Sequence, residues 1–500
     1  MNSLPTLLLA AILATTALAE ETSLTIYSSA DPAGFNPQRF IQQQRGGFDS
    51  NSIWNIPGFG IVKQVRSIPL SKGLNDVPFT NVAAFLDPTT VNFTDLTDGR
   101  TNVLEQAFKF DLVSPSKLMQ RYLDKPISLS VPNGTDYRTV EGTLLSATQN
   151  QLVLDTHEGL KIVPATGVQI QLGDLPEGFL TKPTLQWLLN AKKGGDHEIR
   201  TTYQTGGLTW RADYNLVLND DDTQADLTAW VSILNVSGMN YTDTKLKLIA
   251  GDVQRVTPQR RMQVMEFSRS RSGMESDVGG FEEKAFFEYH LYSLPRKTSI
   301  ASNSTQQLTL FPAVTGLTVE KELFYAPTHS TGWGRDPYTD PNFYPAAENK
   351  VQVFVSFDNK EANNLGVPLP KGLIRSFKED SADGTLEFIG EALIDHTARN
   401  ENIRIKLGNA FDVIGERTHV DFSINKSDRT MQETIKIEIR NQKDDPQRVI
   451  VQENLYRWKT WSMAKTSAPF TKKNANTVEW SVDVPAEGTS EIEYTVTYTW

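Results

Sequence analysis

The sequence predicts a mainly β protein: an N-terminal β domain with an inserted small SH3-like barrel, then antiparallel, immunoglobulin-like β-sandwich regions, with few short helices. Three observations carry this. From Leu208 every second residue is apolar (Leu208, Trp210, Ala212, Tyr214, Leu216, Leu218), with Thr209, Arg211, Asp213, Asn215 and Val217 between them, polar but for the last. Successive side chains of a strand point to opposite faces, so this period commits one face to a core. The chain ends on a second alternation, Ile492, Tyr494, Val496, Tyr498 and Trp500. Between the two, short apolar runs recur among Gly, Pro, Asn and Asp turn signals, as in sandwiches of many short strands.

A chain of 500 residues exceeds one ordinary core and implies several domains. Residues 1–19 stand apart: Leu7–Leu13 is an apolar run that ends in Ala17-Leu18-Ala19. An apolar core before a small-x-small site has the form of a secretory signal peptide, which places the mature protein outside the cytoplasm, periplasmic or extracellular. No later run approaches the ~20 apolar residues of a transmembrane helix. The chain has no cysteine, so an exported body must hold together by packing rather than disulfides. A net charge of −11 argues against nucleic acid, which demands a basic face.

The N-terminal β domain, 20–121, opens with a strand at Ser23–Tyr27, followed by an aperiodic arm, Ser28–Pro57. Strands follow at Gly60–Leu70, Asn81–Leu86 and Val91–Asp95, with Lys72–Asp76 as a turn. Ser114-Pro115 caps a helix to about Leu123, and Pro183 opens a second that closes in Lys192-Lys193-Gly194-Gly195. Between them, at 122–174, five short strands suit a small closed barrel: Ile127–Val131, Val140–Ala147, Gln151–Asp155, Leu160–Pro164 and Gly167–Leu172.

A sandwich at 175–325 takes in the strand at Leu208, introduced by the turn glycines Gly206-Gly207, and its return through Ala225–Leu234. It continues with Lys245–Ile249, Phe286–Ser293, Gln306–Phe311 and Thr318–Tyr325; residues 257–280, rich in Arg, Ser and Gly, read as a mobile loop. After an aromatic and Pro-rich loop, 326–349, a C-terminal sandwich fills 350–500. Its strands are Lys350–Phe357, Gly372–Lys378, Thr385–Leu393, Ile403–Lys406, Val420–Ile424, Glu433–Arg440, Arg448–Tyr456, Thr477–Val484 and Ser490–Trp500.

Tyr203-Gln204-Thr205-Gly206-Gly207-Leu208-Thr209-Trp210-Arg211-Ala212-Asp213-Tyr214 and Leu246-Lys247-Leu248-Ile249-Ala250-Gly251-Asp252-Val253 resemble signatures of an uncharacterised family of exported bacterial proteins. These carry a domain of unknown function, and mucoidy inhibitor A is a distant relative. Val367-Pro368-Leu369-Pro370-Lys371-Gly372, Gly390-Glu391 and Gly408-Asn409-Ala410-Phe411-Asp412 fit the same pattern, as do Asp111–Pro115 and Glu141–Ser146. The resemblance implies export and a β-rich build and supplies no reaction.

Chemistry is sparse. The six histidines (His157, His197, His290, His329, His396, His419) show no metal-ligand spacing, and neither a nucleophile elbow nor a phosphate-cradling loop is present. No cofactor, metal site or catalytic residue is therefore expected. Asp395-His396 reads as a strand end with a structural histidine, and Asp220-Asp221-Asp222 with Asp226 as a solvated turn rather than a calcium loop. The ligand-binding candidates are Trp333, Arg335, Asp336, Tyr338, Phe343 and Tyr344, aromatics with polar neighbours in a segment too rich in Pro and Gly to be a strand.

The expected function is a non-enzymatic cell-envelope protein that binds a surface polysaccharide or protein partner through loops on a β scaffold. A carbohydrate hydrolase using dispersed carboxylates such as Glu391 with Asp395 is one alternative. A β protein of the outer membrane, suggested by the aromatic-ended last strand, is another. Export with cleavage after Ala19 predicts that N-terminal sequencing of the exported protein begins at Glu20; recovery of Met1 refutes it.

Overall fold

The computed structural model describes residues 21–28, 58–109, 115–133, 136–148, 150–174, 180, 182–251, 253, 281–286, 289–328, 336–343 and 345–500. Residues 1–19, nearly all of the arm 28–57 and the loop 257–280 lie outside them. The build is mainly β, as the alternation predicts, with five sheets and, among the described residues, one α-helix, Pro115–Arg121. No described helix is long and apolar enough to cross a membrane.

An eight-stranded sheet holds both ends of the first half of the chain. Its strand Glu21–Tyr27 lies between Phe59–Leu70, antiparallel, and Tyr241–Ala250, parallel. Thr22, Leu24 and Ile26 point inward while Glu21, Ser23 and Thr25 do not, which is the period of a strand facing one core. Gly195–Thr205 continues the sheet beyond Phe59–Leu70. A three-stranded sheet of Gly73–Thr80, Thr184–Ala191 and Asn102–Lys109 packs over that end, with Trp187 set edge-on against Phe93 at 5.2 Å.

The chain then turns at Gly206-Gly207 into a five-stranded sheet. Gly207 has φ +78°, and a Cβ there would stand 2.8 Å from Ser237 Cα, so the turn requires glycine. In that sheet Leu208–Leu218 lies between Gln224–Asn235, antiparallel, and Gly372–Glu379, parallel, with Ser304–Thr318 and Leu386–Ile394 outermost. Leu208, Trp210, Ala212, Tyr214, Leu216 and Leu218 all face the core shared with the eight-stranded sheet. The prolines after 366 serve that core: Tyr214 and Tyr292 donate their hydroxyls to the Pro370 carbonyl (2.7 Å) and the Pro368 carbonyl (3.1 Å). A Cβ on Gly372 would stand 2.3 Å from the Ala212 carbonyl oxygen, so only glycine lets the parallel strands meet there.

A nine-stranded sheet folds around a second core. Its strand Glu320–Tyr325 joins Lys350–Asp358 on one side and Gln447–Asn454 on the other. Ile492, Tyr494, Val496 and Tyr498 of the last strand, Thr489–Thr499, all point into this core.

Several expectations are corrected. Residues after Pro183 form the strand Thr184–Ala191, not a helix: Leu185, Trp187, Leu189 and Ala191 alternate inward at the centre of the three-stranded sheet. The five short strands at 122–174 exist, but the sheet does not close. Gln169–Gln171 and Gly159–Pro164 lie at opposite edges and do not pair with each other. The turn expected at Lys72–Asp76 is tighter, with a strand starting at Gly73 and Asn75 holding the turn through the Ser71 N–H at 2.8 Å. Asn81–Leu86 is irregular apart from one bridge, Leu86 to Thr205. Phe286–Ser293 is the end of one hairpin strand, Glu282–Phe286, and the whole of its partner, Tyr289–Ser293. Ile403–Lys406 and Val420–Ile424 belong to one continuous strand, Asn402–Asn425.

Trp210 is 1% exposed. Trp210→Ala is expected to destabilise by about 3–5 kcal/mol in denaturant melts. Arg211→Ala should cost no more than about 2 kcal/mol, because Arg375 and Ser232 still hold Asp213, the partner of Arg211. Equal losses would contradict the assignment of faces.

Candidate functional site

The organising strand, Leu208–Leu218, has a second face. Cross-strand register places Trp230 opposite Asp213, Ser232 opposite Arg211, Arg375 opposite Asn215 and Glu391 opposite Arg375. These side chains stand on the side of the sheet turned away from the core. Asp213 is nearly buried there by its own partners. Its Oδ1 lies 2.9 Å from Arg211 Nη2 and 3.4 Å from Arg375 Nη1, and its Oδ2 accepts from Arg211 Nε at 3.1 Å and from the Ser232 hydroxyl. Gln307 donates to Ser232 Oγ at 3.1 Å, and Arg375 Nε reaches Glu391 at 3.5 Å. Beside this network Trp230 is 36% exposed, with Gln307, Thr309, Glu391 and Leu393 also open to solvent. Each charged group is held by at least one partner, so the face presents fixed donors and acceptors beside an aromatic plate.

The aromatic segment predicted as a site is fastened to the second core. Trp333, Arg335 and Tyr344 lie outside the described residues. Asp336 is exposed, while Tyr338 and Phe343 are half-buried and stacked on each other at 4.5 Å, with Phe343 6.0 Å from Tyr456. The fully buried Arg457 holds the backbone: Nη1 donates to the carbonyls of Tyr338 (3.0 Å) and Asp340 (2.9 Å), and Nη2 to that of Phe343 (2.9 Å). Arg457 Nε donates to Glu433, its guanidinium lies 4.3 Å from the Phe422 ring centre, and Tyr456 donates its hydroxyl to Glu433 at 3.0 Å.

A second buried pair accompanies it. Arg417 Nε donates to Glu453 at 2.9 Å, and the Tyr494 hydroxyl to the same carboxylate at 2.8 Å. Burial alone would lower the Arg417 pKa, but Glu453 and the neighbouring tyrosines raise it. Burial likewise pushes the Glu433 carboxyl up, yet His419, Arg457 and Arg417 hold it below the ordinary 4.5. The N-terminal core has its own polar centre. His197 Nδ1 lies 2.6 Å from Asp95, and Arg66, which donates to the Thr80 and Asn81 carbonyls and to Gln64, is pushed down to about 10 by burial.

The structure does not bring the remaining candidates together. Glu391 faces Arg375, while Asp395 is almost fully exposed and faces Lys371 at 3.3 Å. His396 Nδ1 accepts from the Lys371 backbone N–H at 3.0 Å, the structural role expected of it. Asp222 lies 2.6 Å from both Lys321 and Lys378, Asp221 accepts from Thr223, and Asp226 accepts from the Gly316 N–H. Among the described residues no three His, Cys, Asp or Glu side chains cluster as a metal ion would need.

Sequence reasoning missed the sheet face because its members come from five strands. One signal was available: in Thr228, Trp230, Ser232 a tryptophan sits on the polar side of the alternation.

The lowered pKa of Glu433 fixes a pH dependence. The unfolded chain protonates this group near 4.5 and the folded chain only at lower pH, so its contribution is present above 4.5 and lost as the pH falls through the folded value. Glu433→Gln leaves Arg457 buried without its counter-charge and is expected to cost roughly 3–5 kcal/mol at pH 7. That difference from wild type should shrink in denaturant melts once the pH is taken below 4.5; a constant difference contradicts the assignment.

No curated protein matches the chain. Residues 199–500 match the family model described as a domain of unknown function (DUF4139). The match begins within Gly195–Thr205 and takes in the five-stranded and nine-stranded sheets, with Arg211, Asp213, Trp230, Arg375 and Glu391 inside it. It covers more than half of the sequence, and the chain belongs to the DUF4139 family.

Proposed function

We propose that this chain is an exported, non-enzymatic protein of the cell envelope that binds a surface polysaccharide on the outer face of the five-stranded sheet. The observation that carries the reading is the fixed Arg211–Asp213–Arg375–Glu391 network beside the exposed Trp230 ring. An indole plate offers the apolar face of a sugar a large contact at little entropic expense. Planar guanidinium and carboxylate groups already held in place orient hydroxyls without further ordering. The apolar leader ending in Ala17-Leu18-Ala19, and the resemblance to exported bacterial proteins distantly related to mucoidy inhibitor A, support the envelope as the place of action.

The aromatic segment at 326–349 is a second polymer contact in this reading. Arg457 clamps its backbone at three carbonyls, which preorganises Tyr338 and Phe343, and the sequence sets Trp333, Arg335, Asp336 and Tyr344 beside them. The separate cations facing Glu391 and Asp395 favour binding over hydrolysis, where two carboxylates would flank one bond.

The test is retention on immobilised envelope polysaccharide. Trp230→Ala with Arg375→Ala should lower affinity at least about ten-fold with little change in melting temperature. Trp333→Ala with Tyr344→Ala should lower it less. Unaltered retention in the first variant refutes the sheet face as the site.

A further inference from the structure

A cleft of about 380 Å³ lies where the five-stranded sheet meets the nine-stranded sheet, and none of Arg211, Asp213, Trp230, Arg375 or Glu391 lines it. Its floor is apolar: Leu218 and Ile389 come from the first sheet, Leu323, Val353 and Val355 from the second. Its rim is basic. Lys321 and Lys378 reach in from the two sheets, each 2.6 Å from Asp222 of the intervening turn, and Lys443 follows Thr430–Asn441. With Asp222 and Asp412 counted against these three lysines, the lining carries one positive charge in excess, in a chain whose net charge is −11.

Two features show a built site. The back wall is a close backbone approach, since a Cβ on Gly390 would stand 2.3 Å from the Leu407 carbonyl oxygen. At the lip the long strand Asn402–Asn425 bulges: Asn409 pairs with Gln352 and Ile414 with Lys350, so on the side of Lys350–Asp358 residues 410–413 stand opposite the single residue Val351. The bulge displays Phe411, 93% exposed, over the opening. Bulges re-aim side chains and recur beside binding sites. The size and apolar lining are those of a small-molecule site.

We propose that this cleft binds a small anionic amphiphile, with an aliphatic body on the Leu218–Leu323–Val355 floor beneath Phe411 and a single carboxylate met by Lys443 and the Lys321–Lys378 pair. The two lysines held by Asp222 keep the rim preorganised, and Lys443 supplies the excess charge. The site is separate from the polysaccharide face and does not depend on it.

The test is calorimetric titration of the full chain with decanoate below its micellar concentration, beside decanol and decyltrimethylammonium. Decanoate should bind at least about ten-fold tighter than either, and more weakly as salt is raised. Phe411→Ala and Lys443→Gln should each weaken decanoate several-fold with unchanged melting temperatures, since the first ring is exposed and the second side chain only half-buried. Trp230→Ala with Arg375→Ala should bind decanoate as wild type does, whatever its retention on polysaccharide. Equal binding of decanoate and decanol, absence of decanoate binding, or wild-type affinity in both cleft variants overturns the proposal.

Discussion

Parallel pairing between Leu208–Leu218 and Gly372–Glu379 is the constraint on which the rest of the architecture depends. Parallel neighbours cannot be joined by a tight turn, so the chain must leave the sheet and return. Here the excursion holds Tyr241–Ala250, Tyr289–Ser293 and Ser304–Thr318, then the first two strands of the nine-stranded sheet, Glu320–Tyr325 and Lys350–Asp358. The returning strand therefore fixes how the sheets stand to one another. Its arrival is specified at close range, by the bare backbone of Gly372 against Ala212 and by two tyrosine hydroxyls on the proline carbonyls before it. The Trp230 network and the cleft both straddle this junction, and neither exists without it.

The buried charges of the second core do a different kind of work. An ion pair withdrawn from water gains little net stability over apolar packing, because desolvation offsets most of the attraction. What such a pair does impose is geometry. Arg457 has its Nε on Glu433 and its terminal nitrogens on three backbone carbonyls of residues 338–343, a set that an apolar side chain of equal volume would not hold. Asp213 fixes the sheet face in the same way, with a hydroxyl and two guanidinium groups converging on one carboxylate.

Much of the fold is legible in the sequence where apolar residues are buried on one face and polar ones fill the other, since period two then shows clearly, as in Leu208–Leu218 and Thr489–Thr499. Thr184–Ala191 was harder. Leu188 adds an apolar residue on the other face, and the flanking Pro183 and Lys192-Lys193-Gly194-Gly195 imitate helix caps. Asn402–Asn425 reads as two strands because Gly408, Asn409, Asp412 and Gly415 erase the alternation at the bulge. The open five-stranded sheet at 126–171 reads as a barrel because edge closure leaves no mark on strand composition. The candidate sites are the least legible part: Asp213 and Arg375, or Lys321 and Lys443, meet only through pairings distant in the chain, and local spacing cannot carry that information.

That open sheet has a consequence for how copies of the protein tolerate one another. Its edge strand Gly159–Pro164 pairs on one side only among the described residues, and it turns Leu160 and Ile162 to solvent. Unpaired N–H and C=O groups beside apolar side chains form a template for a second identical edge. What opposes that encounter is the long-range repulsion of a body carrying −11, and such repulsion reaches only about 10 Å at 0.1 M salt and about 3 Å at 1 M. Colloidal behaviour is thus governed by ionic strength: dilute buffers keep the edges apart, and brine lets them touch.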